Sequence, residues 1–392
     1  MAPPPKPPVS EDQLQGFRYL DHFHSLFDRL RPCATASDKA GNRKLFFDQY
    51  ACLLLLYFFT PTLTSLRGLQ QATALEKVRQ RLGCQRTSLG SLGEASHVFD
   101  PDLLRPIIAE LAAQAVPLVA GREAEALRGL TAVDGSVLPA LPKMAWALWM
   151  DAEHRAAKVH VHFDVLKGVP ADATLTPAAC SELAQLQATL QADRLYVVDR
   201  GYAGYWLFAA IVEAGSSFVA RVKEGTAFRL AQERPLTEPA RAAGVLRDVV
   251  VAKLGSDHHK DEVGRPLRLV WVATDQVQSD GTPEVLLLCT DRLELAAELV
   301  ALAYRYRWWV ELFFRWLKCV LGCRHLLSTS AAGVTIQVYM ALIASLLISL
   351  WTNHRPNKRT FEMLCFYFSG WASIEELQTH IQKLQEQPSD TG

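Results

Sequence analysis

The stretch "YRYRWWVELFFRWLKCVLG", residues 304–322, limits what this chain can become more than any other segment. At about 100° per residue, Tyr304, Arg307, Glu311, Arg315 and Lys318 share a helical stripe roughly 80° wide. The opposite side carries Tyr306, Trp309, Phe313, Trp316 and Leu317, a broad apolar face suited to packing on a sheet. Such a helix is anchored on one side and holds a lone acid among cations on the other. As a plain surface, the i,i+4 pairs Arg307–Glu311 and Glu311–Arg315 would account for the row. The same row suits a phosphate-bearing partner and a divalent metal, because Arg and Lys take phosphate oxygens and the carboxylate takes the ion.

The rest of the chain must decide between these. At 392 residues there is room for two or three domains and a large core. Lys plus Arg (41) equals Asp plus Glu (41), so any nucleic-acid surface has to be local. Residues 304–324 are one such place; "EKVRQRLGCQRTSLG" at 76–90 is another, with Arg79, Arg81 and Arg86 as candidate contacts or merely a solvated helix face. Eight cysteines lack paired spacing and no secretory signal precedes them, which fits reduced thiols in a cytosolic protein. Cys319, Cys323 and His325 form half of a metal pattern without a second half, and buried free cysteines explain them better; His258–His259 sits in a charged turn. "GVTIQVYMALIASLLISLW" at 333–351 approaches membrane-spanning length, but Gln337 and several hydroxyls point to a buried core helix.

Along the chain, a proline-rich start gives way to helical periodicity over 11–125. Strand patterns follow at 127–141 and in "KVHVHFDVL" (158–166). There Val159, Val161, Phe163 and Val165 share one face, and His160, His162 and Asp164 the other, which reads as solvated or sparsely polar. "ATLTP" suggests a short strand, 178–190 a helix, "RLYVVDRGY" a buried strand, "YWLFAAIVEAG" a helix and "SFVARVKE" a strand, an α/β order. About 65 residues of strand-and-turn sequence come next as a β-rich insertion. The acid-bearing helix, the apolar helix and a polar helix near 373–386 complete the chain.

Two aspartates stand out in the α/β part: Asp134 in "TAVDGSVL" and Asp199 after "YVV". Alone, each reads most simply as a turn, since glycine follows. In an open α/β sheet, however, strand ends gather around a ligand crevice. Asp134, Asp199 and Glu311 can converge there. Three carboxylates in a basic surround suit two Mg²⁺ or Mn²⁺ ions serving phosphoryl transfer, with the cations holding a phosphodiester backbone.

The spacing Tyr304-x2-Arg307-x3-Glu311-x6-Lys318, with "VDGS", "VVDRGY" and "SLGSLGEASHVFDPDLL", resembles the Tyr-Arg-Glu-Lys signature of DDE transposases of the insertion sequence four family. The resemblance covers roughly residues 45–350. It implies a ribonuclease H-like α/β core interrupted by the β-rich insertion, with an N-terminal all-helical domain and C-terminal helices. The expected layout is a tail at 1–10, a helical DNA-binding domain at 11–125, the first part of the core at 126–225, the insertion at 226–290, core-closing helices at 291–355, and a C-terminal helix and tail at 356–392. It further implies Asp134, Asp199 and Glu311 as catalytic metal ligands for two Mg²⁺ or Mn²⁺ ions. Tyr304, Arg307, Arg315, Lys318 and Arg200 would contact double-stranded transposon-end DNA, and Trp308 would stack on a flipped base. In relatives a freed 3′-hydroxyl attacks the opposite strand to give a hairpin. A homodimer on DNA, in the bacterial cytoplasm and with no membrane role, completes that expectation. The alternatives are a nuclease of the same fold without strand transfer, and a catalytically silent DNA-binding relic.

Overall fold

The computed structural model of the chain describes residues 26–32, 43–139, 156–256, 263–277, 283–319 and 325–386, with single positions between them. The expected tail at 1–10, the His258–His259 turn, Arg324 and the Cys319–Cys323 pattern lie outside the described residues or side chains.

The N-terminal part is helical: α1 Phe47–Phe59, α2 Leu66–Ala72, α3 Glu76–Leu82, α4 Leu89–Val98, α5 Arg105–Gln114 and α6 Arg122–Ala126. Local chemistry sets these boundaries. Ser65 and Ser88 cap α2 and α4 by accepting amide protons from Gly68 and Ser91, and Gly83 ends α3 in the left-handed conformation. α1 is apolar all round and buried along nearly its whole length, as a helix enclosed by neighbours must be.

The described strands form one nine-stranded sheet in the order β3-β2-β1-β4-β5-β9-β8-β7-β6. β1 (Leu130–Pro139), β2 (Ala156–Asp164) and β3 (Val169–Pro177) make an antiparallel meander. β4 (Leu195–Val198) then lies parallel to β1, and β5 (Ser217–Val222) parallel to β4. The connections run through α7 (Glu182–Ala188) and α8 (Tyr205–Glu213). The segment read as β-rich carries β6 (Phe228–Glu233), β7 (Val245–Leu254), β8 (Leu267–Val277) and β9 (Pro283–Thr290), with a short helix α9 (Glu238–Ala242). It extends the central sheet, because β9 pairs antiparallel with β5. β6 and α9 were not legible, since the β6 sequence is mostly exposed and carries no apolar alternation.

Each face of the sheet has its own core. Val133, Tyr196, Val198, Phe208 and Phe218 pack on the α7–α8 side. Ala132, Val159, Val161, Phe163 and Val197 pack on the other, with the later helices. The expectation of a solvated polar face on β2 is corrected: His160 and His162 are both 5% exposed. Their Nε2 atoms meet Thr176 Oγ1 at 2.8 Å and Thr189 Oγ1 at 3.1 Å. Burial pushes both imidazoles down to about 4, so they are neutral partners within the fold.

Helices α10 (Ala297–Tyr306), α11 (Trp308–Cys319) and α12 (Ala331–Thr352) cover the second face, followed by α13 (Lys358–Phe368) and α14 (Ile374–Glu386). α12 is long and apolar enough to cross a membrane, yet 83% of its most apolar window is buried inside the fold. It packs against α1, α4, α5 and β3. Its polar groups are all used within the protein. Gln337 accepts from the Leu327 amide at 2.8 Å and donates to the His325 carbonyl at 2.9 Å. Tyr339 donates to the Ala173 carbonyl on β3 at 2.9 Å, and Ser349 and Thr352 donate back to carbonyls one turn earlier.

One buried ion pair ties the insertion to α10. Arg268 on β8 is 1% exposed and grips Asp248 on β7 through two bonds of 2.8 and 2.7 Å. Its Nη1 donates to the Leu293 and Leu295 carbonyls just ahead of α10. Arg234 reaches the same acid at 3.5 Å and the Leu293 carbonyl at 3.0 Å. Removing one partner strands the other charge in a dry site. Asp248→Ala is therefore expected to cost about 3–5 kcal/mol, read as a lowered denaturant midpoint at unchanged slope; a loss under about 1 kcal/mol would show that water reaches Arg268.

Candidate active site

Parallel pairing of β1 with β4 joins Ala132 to Val197. Two residues further along each strand come Asp134 and Asp199, at the same level and on the same face by the period of two. Beyond Ala132 the two strands cease to pair while β1 continues to Pro139. Asp134 thus lies inside its strand, not in the turn that Asp-Gly alone suggests. Its Oδ1 accepts the Gly135 amide proton at 2.8 Å. Asp199 follows the end of β4 and caps a single 3-10 turn, Oδ1 accepting from Gly201 N at 2.7 Å. A Cβ on Gly201 would sit 3.0 Å from that oxygen, so glycine lets the carboxylate close on the backbone.

The segment 304–322, expected as one helix, is two. α10 ends at Tyr306 and α11 begins at Trp308. At the junction Arg307 N donates to Tyr304 O at 3.1 Å and Val310 N to Arg307 O at 3.2 Å, the tighter three-residue pattern. α11 packs against β1 and β2, with Phe313 and Phe163 rings 5.3 Å apart. That contact brings Glu311 over the aspartates. Arg307 and Glu311 form an ion pair at 2.6 Å, and both are largely withdrawn from solvent. The Arg307 guanidinium also lies 5.6 Å from the Tyr304 ring centre.

These groups act on one another electrostatically. Burial pushes the Asp134 carboxyl up to about 6; the Gly135 amide and Arg307 oppose this, while Asp199 and Glu311 add to it. Burial works against the Arg307 charge, but Tyr304, Glu311 and Asp199 more than offset it, and its pKa rises. Arg307 Nε is buried without a hydrogen-bond partner.

The remaining expected residues divide by burial. Arg200 and Arg315 are exposed, Lys318 is half-buried, and Tyr304 is 9% exposed. Trp308 is 45% exposed, whereas Trp309 and Trp316 are core residues, as their place opposite the stripe requires. Trp309 is covered by Arg355, 3.7 Å from its ring centre. Sequence reasoning missed two neighbours. Arg221 on β5, paired with Glu284 at 2.7 Å, acts on the Tyr304 phenol from the sheet side; its signal was an arginine at an apolar position of "SFVARV". Tyr202, the last residue of "VVDRGY", is buried with its hydroxyl unpartnered, and Glu182, Asp134 and Asp199 all act on it.

As placed, no three acidic, histidine or cysteine side chains among the described residues close around one point. The donor chemistry nevertheless fits a hard divalent cation. The donors are three carboxylate side chains, and one of them, Asp134, is driven toward protonation by burial and by the other two. Asp134 ionises only above its raised pKa, so its charge opposes folding. Asp134→Asn is expected to match wild type below about pH 4 and to become progressively more heat-stable than it between pH 4 and 6, holding that margin above. Melting curves in chelator across this range check it; a margin of the opposite sign would mean that the Asp134 charge is favourably held.

The family described as Transposase DDE domain matches residues 125–347. Among individual proteins, the chain is 28% identical over 247 residues to a putative transposase, y4zB, of Sinorhizobium fredii, covering 62% of this chain and 66% of that one. It is 26% identical over 239 residues to a probable transposase for insertion sequence element IS5377 of Geobacillus stearothermophilus, covering 59% and 60%. The matched part thus spans under two thirds of either relative. A cryo-EM structure of a piggyBac transposase synaptic complex with hairpin DNA aligns with a TM-score of 0.43 at 10% identity, covering 98% of this chain and 85% of that one. With the family match running over more than half of its 392 residues, the chain belongs to the DDE transposases.

Proposed function

We propose that this chain is a DNA transposase that cleaves at the inverted-repeat ends of its element and joins them to target DNA. The observation that supports the reading is that Asp199 and Glu311, from the end of β4 and from α11, both act on the Asp134 carboxyl of β1, beside the cation Arg307 that pairs with Glu311. The meander β1–β3 followed by the parallel strands β4 and β5 supports a ribonuclease H-like core, with β6–β9 as its insertion and the helices before β1 as a DNA-binding domain. The signature spacing supports placement in the insertion sequence four family.

In this reading Asp134, Asp199 and Glu311 hold Mg²⁺ or Mn²⁺, two ions supplying activation of the attacking oxygen and stabilisation of the leaving one. Arg307 partly neutralises the acids. Arg200, Arg315 and Lys318 line the approach and take backbone phosphates, while Tyr304 fixes Arg307 from beneath. Exposed Trp308 offers a stacking plane for an extruded base. Work on two ends calls for a homodimer on DNA, with α14 as a contact, acting on nucleoid DNA in the cytoplasm. Hairpin formation is part of the proposal.

Purified wild type with Mg²⁺ or Mn²⁺ is expected to cut a labelled fragment of its own flanking DNA at discrete ends and to join them to a target. Glu311→Ala should bind that fragment but not cut it, and normal cutting by this variant would refute the assignment. Lys318→Ala should lower the slope of log K against log salt by about 0.9, one phosphate contact. Metal-dependent cutting without end preference or joining would make the chain a nuclease instead.

A further inference from the structure

Away from the acids, two distant parts of the N-terminal helical region build a second basic feature. Arg43 and Lys44 stand just ahead of α1, and Arg86 stands just ahead of α4. All three line a cleft of about 520 Å³, in which Glu94 is the single acid. Arg43 is held in place by the Phe99 ring, 5.3 Å from its guanidinium carbon; Lys44 and Arg86 are exposed. The other polar lining is hydroxyl. Ser88 Oγ accepts the Ser91 amide proton at 3.0 Å and meets Ser91 Oγ at 3.0 Å. Three cations, two hydroxyls and the adjoining start of a ten-residue helix are donors for phosphate oxygens. Of the arginines singled out in "EKVRQRLGCQR", Arg86 is the one that lines the cleft.

The cleft is fixed relative to the catalytic helices. Ser328 Oγ donates to Ser96 Oγ at 2.9 Å, and Ser330 Oγ donates to the Ser96 carbonyl at 2.6 Å. Gly333, in the first turn of α12, packs so closely that a Cβ there would come within 2.5 Å of Ser96 Cβ. Thus α4, whose first turn borders the cleft, is bolted at its other end to the segment joining α11 and α12. A phosphate held in the cleft would be held at a set distance from Glu311.

We infer that this cleft is a phosphate clamp for the backbone of duplex DNA, separate from the acidic crevice and indifferent to base sequence. The inference rests on the transposase reading and adds a second anchoring point to it. Cations that meet only phosphates fix the register of a duplex while the bases are read elsewhere.

The test is titration of a labelled duplex at several salt concentrations with wild type, the Lys44→Glu/Arg86→Glu double variant and Glu94→Gln. The double variant is expected to bind about tenfold more weakly at low salt, with a salt slope shallower by about 1.8, two phosphates' worth. The loss should be equal for unrelated duplex sequences. Glu94→Gln, which removes the lone acid, should bind more tightly and gives an independent reading if the double variant fails to fold. If wild type binds duplex and the variants bind with the same affinity and slope, the clamp is wrong and the transposase reading stands. If wild type binds no duplex at all, both fall. Inorganic phosphate that binds wild type but not the double variant, with duplex binding the same in both, would reassign the cleft to a small phosphate ligand and overturn the clamp.

Discussion

Three residues of parallel pairing decide where Asp134 and Asp199 lie. Leu130–Ala132 lie against Leu195–Val197, after which β1 and β4 part. That short register puts Asp134 level with Asp199 and leaves a gap beyond them at the carboxyl end of β4, the place where an open α/β sheet receives ligands. A slip of one residue would turn one acid to the opposite face, among Tyr196, Val198 and Phe208, where nothing could use it. The continuous apolar run of β4 packs on both faces and sets the orientation of Asp199 just beyond it.

Glu311 comes to act on Asp134 by a different route. Its helix is set by aromatic packing on β2, and the break at Arg307 gives the cation a place between α10 and α11. The ion pair is short because the two residues are one turn apart on a surface that is turned inward. An exposed pair of this spacing would contribute only about 0.3–0.5 kcal/mol. Here its importance is positional: Arg307 lies among Glu311, Asp199 and Tyr304, and each constrains it.

Much of this was legible in the sequence. Stripe geometry separated Trp308 from Trp309 and Trp316, and the gap from Arg307 to Glu311 gave their contact. Clean alternation located β2, strand-like apolar runs located β1, β4 and β5, and Gln337 argued correctly for an enclosed α12. The failures share a cause, in that a pattern of side chains does not report what lies opposite. His160 and His162 looked like a wet face because Thr176 and Thr189, which satisfy them, are 16 and 27 residues away. The helix break was hidden because no Gly, Pro or capping residue stands near Arg307. The α13 helix packs on the adjacent α14 and on α1, which is distant in sequence. The Arg43–Arg86 cleft was invisible for the same reason.

The run of strands from β6 to β9 shows what such a sheet leaves free. β9 runs back down beside β5, so Val222 faces Leu287 and Val219 faces Thr290. Asp291 then accepts the Phe218 amide proton, closing a loop of 73 residues almost onto its own beginning. The excursion from β5 to α10 therefore has almost no net displacement, and it works as a return path. Its outer strands can lengthen, shorten or multiply at the β6 edge without moving Glu311. The direction of the last strand is not free: only a descending β9 delivers the chain to the foot of the sheet, from which α10 can climb back to the acids.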